Sequence, residues 1–315
     1  MEHLSKLPNP SDWDNREWIK VAEELALTTD KTKMHRKNWE WIQCIYGLKK
    51  LGYIKPDFSV LGVGCGHEPV IYYFTNYVKK VVATDVYDGS FAEGSIGGEA
   101  NSDMLTNPDK YAPFPYKRER LVVERADGTN LPYEDNTFDI VFSLCAIEHF
   151  GEPRDIGNQY PDFGSASYWL KILKKSAVLT CNGDFANLLK KVVVTIKKAF
   201  RKKAVRTIDN SAERPPTKAM KEIARVLKHG GIAVISTEYL LNDKPHGSFF
   251  SKDRLFSELI IPSKLKLIDE INFSMPDSML KKPIKLPEEM FNVFPHLVLQ
   301  FQGALFTSVI LFLVK

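Results

Sequence analysis

Residues 58–86, FSVLGVGCGHEPVIYYFTNYVKKVVATDV, decide the fold. An apolar run ends in Gly62-Val63-Gly64-Cys65-Gly66, a helical pattern follows, and a second apolar run stops at Asp85. Strand, glycine turn, helix and strand in that order are the grammar of a nucleotide-binding sheet. Glycine lets the backbone pass close to a ligand where a side chain would collide. A carboxylate about 20 residues beyond the turn can take both hydroxyls of a ribose, and Asp85 stands there. A dinucleotide fold needs a third glycine at the start of the helix, G-x-G-x-x-G, to seat a pyrophosphate. Here that position is His67, with Glu68 and Pro69 after it. An acid beside a helix N-terminus competes with pyrophosphate for the helix dipole. The G-x-G-x-G spacing instead suits a ligand without phosphates.

Strands alternate with helices outward from this unit. Residues 31–52 carry Trp39, Ile42, Ile45 and Tyr46 at helical spacing, and Gly52 offers a stop. Residues 87–118 are loop-like and rich in Gly, Ser, Asn, Asp and Pro. RLVVE (120–124) and FDIVFSL (138–144) read as buried strands. Residues 217–229 have helical spacing, closed by Gly230-Gly231, and Ile232–Ser236 is the next strand. A helix over 253–260, a strand over 265–271 and a last strand over 307–314 follow. Such alternation argues a doubly wound sheet.

At 315 residues, 44% hydrophobic and 26% charged, the composition is that of an ordinary globular chain. Four scattered cysteines (Cys44, Cys65, Cys145, Cys181) form no C-x-x-C pair. This argues against a zinc site or a disulfide framework and fits a reducing cytoplasm. MEHLSKLPNPSDWDN lacks the apolar core of a signal peptide. The run 304–314 is too short for a membrane-spanning helix and fits a buried strand.

VLGVGCG, VVATD, RADGTNLP, FDIVFSLCAIEHFG and AMKEIARVLKHGG together resemble the class I S-adenosylmethionine-dependent methyltransferases, in particular their small-molecule members. The resemblance covers about 55–150 and 216–240. Gly62 stands where that family usually has an acid, and Glu68 where its last glycine falls. The resemblance implies a Rossmann-like doubly wound seven-stranded sheet, mostly parallel with an antiparallel last strand. It divides the chain into a helical cap (1–52), a cofactor-binding half (53–151), a basic insertion (152–215) and a C-terminal half (216–315).

The resemblance implies S-adenosylmethionine as cofactor. Its binding residues would be Gly62, Val63, Gly64 and Gly66 in the turn, Asp85 and Val86 at the ribose, Asp127 and Gly128 at the adenine, and Leu144 near the sulfonium. A carboxylate suits an exocyclic amine because it only accepts. Asp85 as a surface aspartate and Asp127-Gly128 as a plain turn are the bland alternatives. Cys145 has no readable activating partner and reads as an inert thiol. Glu148 and His149 follow the fourth strand, beside the reactive methyl. A hydroxyl acceptor must lose its proton, and a histidine oriented by a carboxylate can take it. The opposing reading has Glu148 capping a helix and His149 lining the cleft. His67 and Glu68 contact the cofactor's polar end or replace packing for the missing glycine. No metal is implied.

The insertion is the remaining surprise. From Ser165 to Arg206 there are eleven Lys or Arg and one acid, Asp184, with Phe185, Leu188, Leu189, Val192, Val193, Ile196 and Phe200 on one helical face. A basic amphipathic helix of this kind suits an anionic membrane or a lid over the acceptor, and nucleic acid less, because stacking aromatics are few. The expected function is methyl transfer to a small-molecule, glycan or lipid-linked acceptor at a hydroxyl, in the cytoplasm or peripherally at a membrane. The alternative is a non-catalytic, cofactor-binding, membrane-associated partner protein. A dehydrogenase is disfavoured by His67, and base methylation by the absence of an Asn-Pro-Pro-Tyr motif.

Overall fold

In the computed structural model, residues 3–88, 101–151, 213–244, 246–286 and 293–315 are described. They fall in the unit formed by Met1–Glu152 and Arg214–Lys315, apart from Glu213. The basic stretch 165–206 lies outside the described residues.

Five strands form the parallel core: β1 (Ser59–Val63), β2 (Lys80–Asp85), β3 (Leu121–Arg125), β4 (Phe138–Leu144) and β5 (Leu227–Leu240), in the order β3-β2-β1-β4-β5. The order reverses between β1 and β4, and ligands of open α/β sheets bind outside the strand ends at such a switch point. The expected antiparallel last strand is β9 (Ala304–Val314), paired with β5 along nine residues from Ile232↔Val314 to Leu240↔Phe306. The sheet is larger than seven strands. β6 (Lys266–Leu267) and β8 (Leu299–Phe301) both pair with β9, and β7 (Ile284–Lys285) adds to β8, making nine.

Alternate strand residues feed two cores. Val60, Val81, Ile140, Phe142, Val234 and Phe312 meet α1 (Arg16–Glu24), α2 (Arg36–Lys50) and α3 (Pro69–Tyr77). Leu61, Val82, Val141, Ala233, Ile235 and Leu311 meet α4 (Pro215–Val226) on the opposite face. Strands buried on both faces read as continuous apolar runs, which is why 58–63 and 138–144 were legible. α2 lies close on β9: a methyl group on Gly47 would fall 2.2 Å from Phe312 Cζ. A mid-helix glycine costs ~1 kcal/mol in propensity, offset here by that close approach.

Three expectations need correction. The helix expected over 217–229 ends at Val226, and Gly230-Gly231 lie inside β5 rather than closing the helix. The helix end is satisfied from elsewhere: Asn136 N–H donates to Arg225 O and Thr137 N–H to Val226 O. The glycines instead absorb a register shift between Phe138↔Leu227 and Ile140↔Ile232. The helix expected over 253–260 is α only at Lys252–Arg254 and then widens to π turns over Leu255–Ile260. Pro262 follows, with no N–H to donate to the turn before it. The strand expected over 265–271 shrinks to Lys266–Leu267.

Candidate functional site

The carboxyl ends of β1, β2, β4 and β5 bring two constructions to one edge of the sheet. The first is backbone. After β1 the chain turns through Gly64 and Gly66, both left-handed (φ 65° and 45°), conformations that side chains resist. Asp85, at the end of β2, braces this turn. Its Oδ2 accepts the Gly66 N–H at 3.0 Å and its Oδ1 the Val86 N–H at 2.6 Å. Burial lifts the Asp85 carboxyl to about 6, against the pull of those two donors. Tyr87, itself left-handed, donates its hydroxyl to Gly66 O at 2.8 Å.

Gly62 serves a different purpose from its neighbours. It sits within β1, and a methyl group there would meet Phe142 Cζ at 2.6 Å and Cys65 Sγ at 2.7 Å. An acid in its place would be driven into the core. Val63 is likewise buried. Across the edge, Asp127 is exposed, and its Oδ1 accepts both the N–H (2.8 Å) and hydroxyl (2.7 Å) of Thr129, a local turn. Gly128 beside it is buried. Gly64 and Gly128 face the same side chain. A methyl group on Gly64 would lie 2.9 Å from Phe150 Cε1, and one on Gly128 2.6 Å from Phe150 Cε2.

The second construction is a buried polar cluster at the ends of β4 and β5. Four carboxylates, Glu40, Glu68, Glu148 and Glu238, are each at most 4% exposed. Two cations from the first turn of α2 answer them. Arg36 pairs with Glu238 at 2.7 Å and lies 3.5 Å from Glu40. Lys37 pairs with Glu68 at 2.9 Å and lies 3.5 Å from Glu40. Glu40 also accepts the hydroxyls of Ser236, at 2.8 Å, and Ser308. His35 caps α2 by accepting the Lys37 N–H at 3.1 Å, which fixes where both cations start.

Charge here is out of balance, and it shows in the protons. Burial pushes Glu68 up to about 7, against the pull of Lys37 and with Glu40 adding to the rise. The Trp41 indole lies near enough to draw Glu68 down without a well-formed hydrogen bond. Lys37 is raised although burial opposes it, because Glu68 and Glu40 hold its charge. Lys37 therefore stays an ammonium, and Glu68 is the partner that can change. Glu238 is raised by burial, with Glu148 adding and Arg36 and His149 opposing.

Sequence-expected residues fall on both constructions. The Leu144 carbonyl accepts from Lys37 Nζ at 2.6 Å, so it is engaged inside the protein. Cys145 is left-handed at φ 55°, a conformation costing of order 1–3 kcal/mol that gathers at functional sites. Its thiol is pushed well up by burial and by Glu148, which keeps it protonated. Both Glu148 oxygens are used: Oε2 accepts the Thr237 hydroxyl and Oε1 the Cys145 thiol, each at 3.0 Å. His149 is half-exposed and lies within electrostatic reach of Glu238. His67, its pKa lowered by burial, packs edge-on to Tyr111. Ligand atoms of Cys145, Glu148 and Glu238 lie within 4.8 Å of one another. To hold a cation they would have to shed the thiol proton and displace Arg36, which is 3.4 Å from Cys145 Sγ and paired with Glu238.

Sequence reasoning missed Arg36, Lys37, Glu40, Thr237, Glu238 and Phe150. One signal was available: charges at i, i+3 and i+4 inside the otherwise apolar helix RKNWEWIQCIYG (36–47).

Residues 61–159 match the family model described as "Methyltransferase domain". No curated protein matches the sequence. Solved structures align over most of their length. YcgJ of Bacillus subtilis is 15% identical, over 85% of this chain and 97% of that one, with a TM-score of 0.43. A SAM-dependent methyltransferase of Aquifex aeolicus is 15% identical, over 85% and 88%, with a TM-score of 0.40. The PH0226 protein of Pyrococcus horikoshii is 13% identical, over 97% and 95%, also at 0.40.

Proposed function

We propose that this chain, which carries an S-adenosylmethionine-dependent methyltransferase domain, methylates a hydroxyl of a small-molecule acceptor held beside His149. Gly64, Gly66, Asp85 and Val86 would hold the ribose side of the cofactor, and Asp127 and Gly128 its adenine. Support for that seat comes from Gly64 and Gly128, which face one aromatic ring, Phe150, so closely that a side chain on either would collide with it. Gly62, Val63 and Leu144 support the seat from behind, since the first two are core residues and the third has its carbonyl on Lys37. When bound, the cofactor supplies a methyl group on a sulfonium, a leaving group that needs no acid.

Alignment then supplies most of the rate, and the acceptor's proton is what remains to be moved. One observation carries this reading: His149 is half-exposed just beyond β4, within electrostatic reach of the buried Glu238, whose pKa burial raises. Its imidazole takes the hydroxyl proton, and Glu238 stabilises the cation that forms. Glu148, with both oxygens on Thr237 and Cys145, positions the strand ends and does not touch the acceptor. The basic stretch 165–206 extends the proposal to acceptors presented at an anionic membrane. Among the described residues no helix is long and apolar enough to cross one.

Calorimetric titration with S-adenosylhomocysteine, beside NAD, tests the cofactor. Turnover against hydroxyl-bearing extracts tests the base. His149→Ala is expected to lower kcat by about 10²–10⁴-fold with adenosylhomocysteine affinity unchanged. An unchanged kcat removes His149 from the chemistry. Liposome flotation that is the same with and without residues 165–206 would sink the membrane part.

A further inference from the structure

We propose that Phe150 is a built-in occupant of the adenine slot, which the cofactor must displace to bind. The inference rests on the proposed cofactor seat between the glycine turn and Gly128. Gly128 is informative because its backbone is not left-handed, so conformation alone does not call for glycine. What a side chain there would meet is one ring: Phe150 Cε2 at 2.6 Å, Cζ at 2.9 Å and Cδ2 at 3.1 Å. Gly64 meets the other edge of that ring, at Cε1 and Cζ, together with Ala146 Cβ at 2.8 Å. A flat six-membered aromatic ring thus already lies against Gly128, the wall that the motifs assign to a flat heteroaromatic one, with Gly64 of the ribose-side turn at its other edge.

The ring also packs against the apolar core on the α4 face, a contact it must give up to leave. Phe150 is half-buried, and its backbone N–H makes a long 3.3 Å bond to Ile147 O at the end of the short turn Ile147–His149. The next residue, Gly151, is left-handed at φ 74°, a pivot that side-chain-bearing residues rarely adopt. Gly151 also packs flat on Pro215 at the start of α4, where a methyl group would fall 2.2 Å from Pro215 Cγ.

Occupation by a residue of the chain reduces apparent affinity by the fraction of molecules in which the slot is open. Phe150→Ala should bind adenosylhomocysteine about tenfold more tightly than wild type. In stopped-flow binding the wild-type association rate should level off with ligand concentration, and the variant's should keep rising linearly. Phe150→Leu reports the same effect, smaller, should the alanine variant melt early. Asp85→Ala is measured alongside. If Asp85→Ala loses binding while both Phe150 variants bind equally or more weakly than wild type, Phe150 is a wall of the site and the inference is overturned with the cofactor seat intact. Binding by Asp85→Ala that equals wild type, or no binding by any form, overturns the seat and the inference with it. Binding seen only after Phe150 is shortened supports it most directly.

Discussion

The glycine turn after β1 and the polar cluster at the ends of β4 and β5 share one edge of one sheet, yet they are built by opposite rules. The turn is local: Gly66 and Asp85, the pair that fixes it, are 19 residues apart. Its information is in the backbone, in two left-handed glycines and in N–H groups aimed at one carboxylate. The cluster is long-range: Arg36 donates to Ser308, 272 residues away. Its information is in side chains brought together by β9 slotting between β5 and the C-terminal strands. The turn can stand a poor neighbour, because its bonds are made within one βαβ unit. The cluster cannot, because buried Glu238 and Glu68 are each paired with a cation from another element.

The contrast is tested hardest by removing one cation. Arg36→Met leaves Glu238 and Glu40 buried without their guanidinium, and breaking a buried pair from one side costs about 3–5 kcal/mol. Denaturant unfolding should show that loss. A change under 1 kcal/mol would mean that water or rearrangement rescues the carboxylates, and that the cluster is as self-sufficient as the turn.

Acidity probes the same cluster more gently. The folded pKa of Glu68, about 7, lies above its ordinary 4.5, so its contribution to stability is complete below about pH 4.5 and is lost as the pH rises through about 7. Lys37 keeps its charge throughout that window. The stability of wild type relative to Glu68→Gln should therefore fall by something on the order of 3 kcal/mol between pH 4.5 and 7.5. Parallel pH curves for the two proteins would show that Lys37 holds Glu68 ionised in the fold. The pair would then be an ordinary ion pair.

These two regions also mark how far the sequence could be read. The parallel core was legible because buried strands are continuous apolar runs, and FDIVFSL became β4 residue for residue. The place of Asp85, at the end of β2 and against the glycine turn, was legible because the motif sets an acid about 20 residues beyond its glycines. The cluster was not, because a charge in an amphipathic helix ordinarily faces water. Nothing local says that Glu40 is turned toward Ser236 and Ser308. Gly230-Gly231 misled for a related reason. A glycine pair after a helix usually ends it, but here β5 carries the extra residues of a register shift against β4, and the helix end had other donors. Local rules fail where a distant strand supplies the partner, and at this edge β9 and β5 supply most of them.

The finest test lies within the backbone-built half, between its two aspartates. Asp85 is engaged by two N–H donors and raised by burial, so its carboxylate is positioned before any ligand arrives. Asp127 is exposed and has one oxygen committed to Thr129. Asn can keep that local turn, because its carbonyl accepts the same N–H. Hydrogen bonds to charged groups contribute about 1.5–3 kcal/mol, neutral ones about 0.5–1.5. Asp85→Asn should therefore weaken adenosylhomocysteine binding by roughly tenfold to a hundredfold, and Asp127→Asn by less than about tenfold. Equal losses in a calorimetric comparison would mean that exposure does not discount Asp127. The adenine would then be gripped as firmly as the ribose.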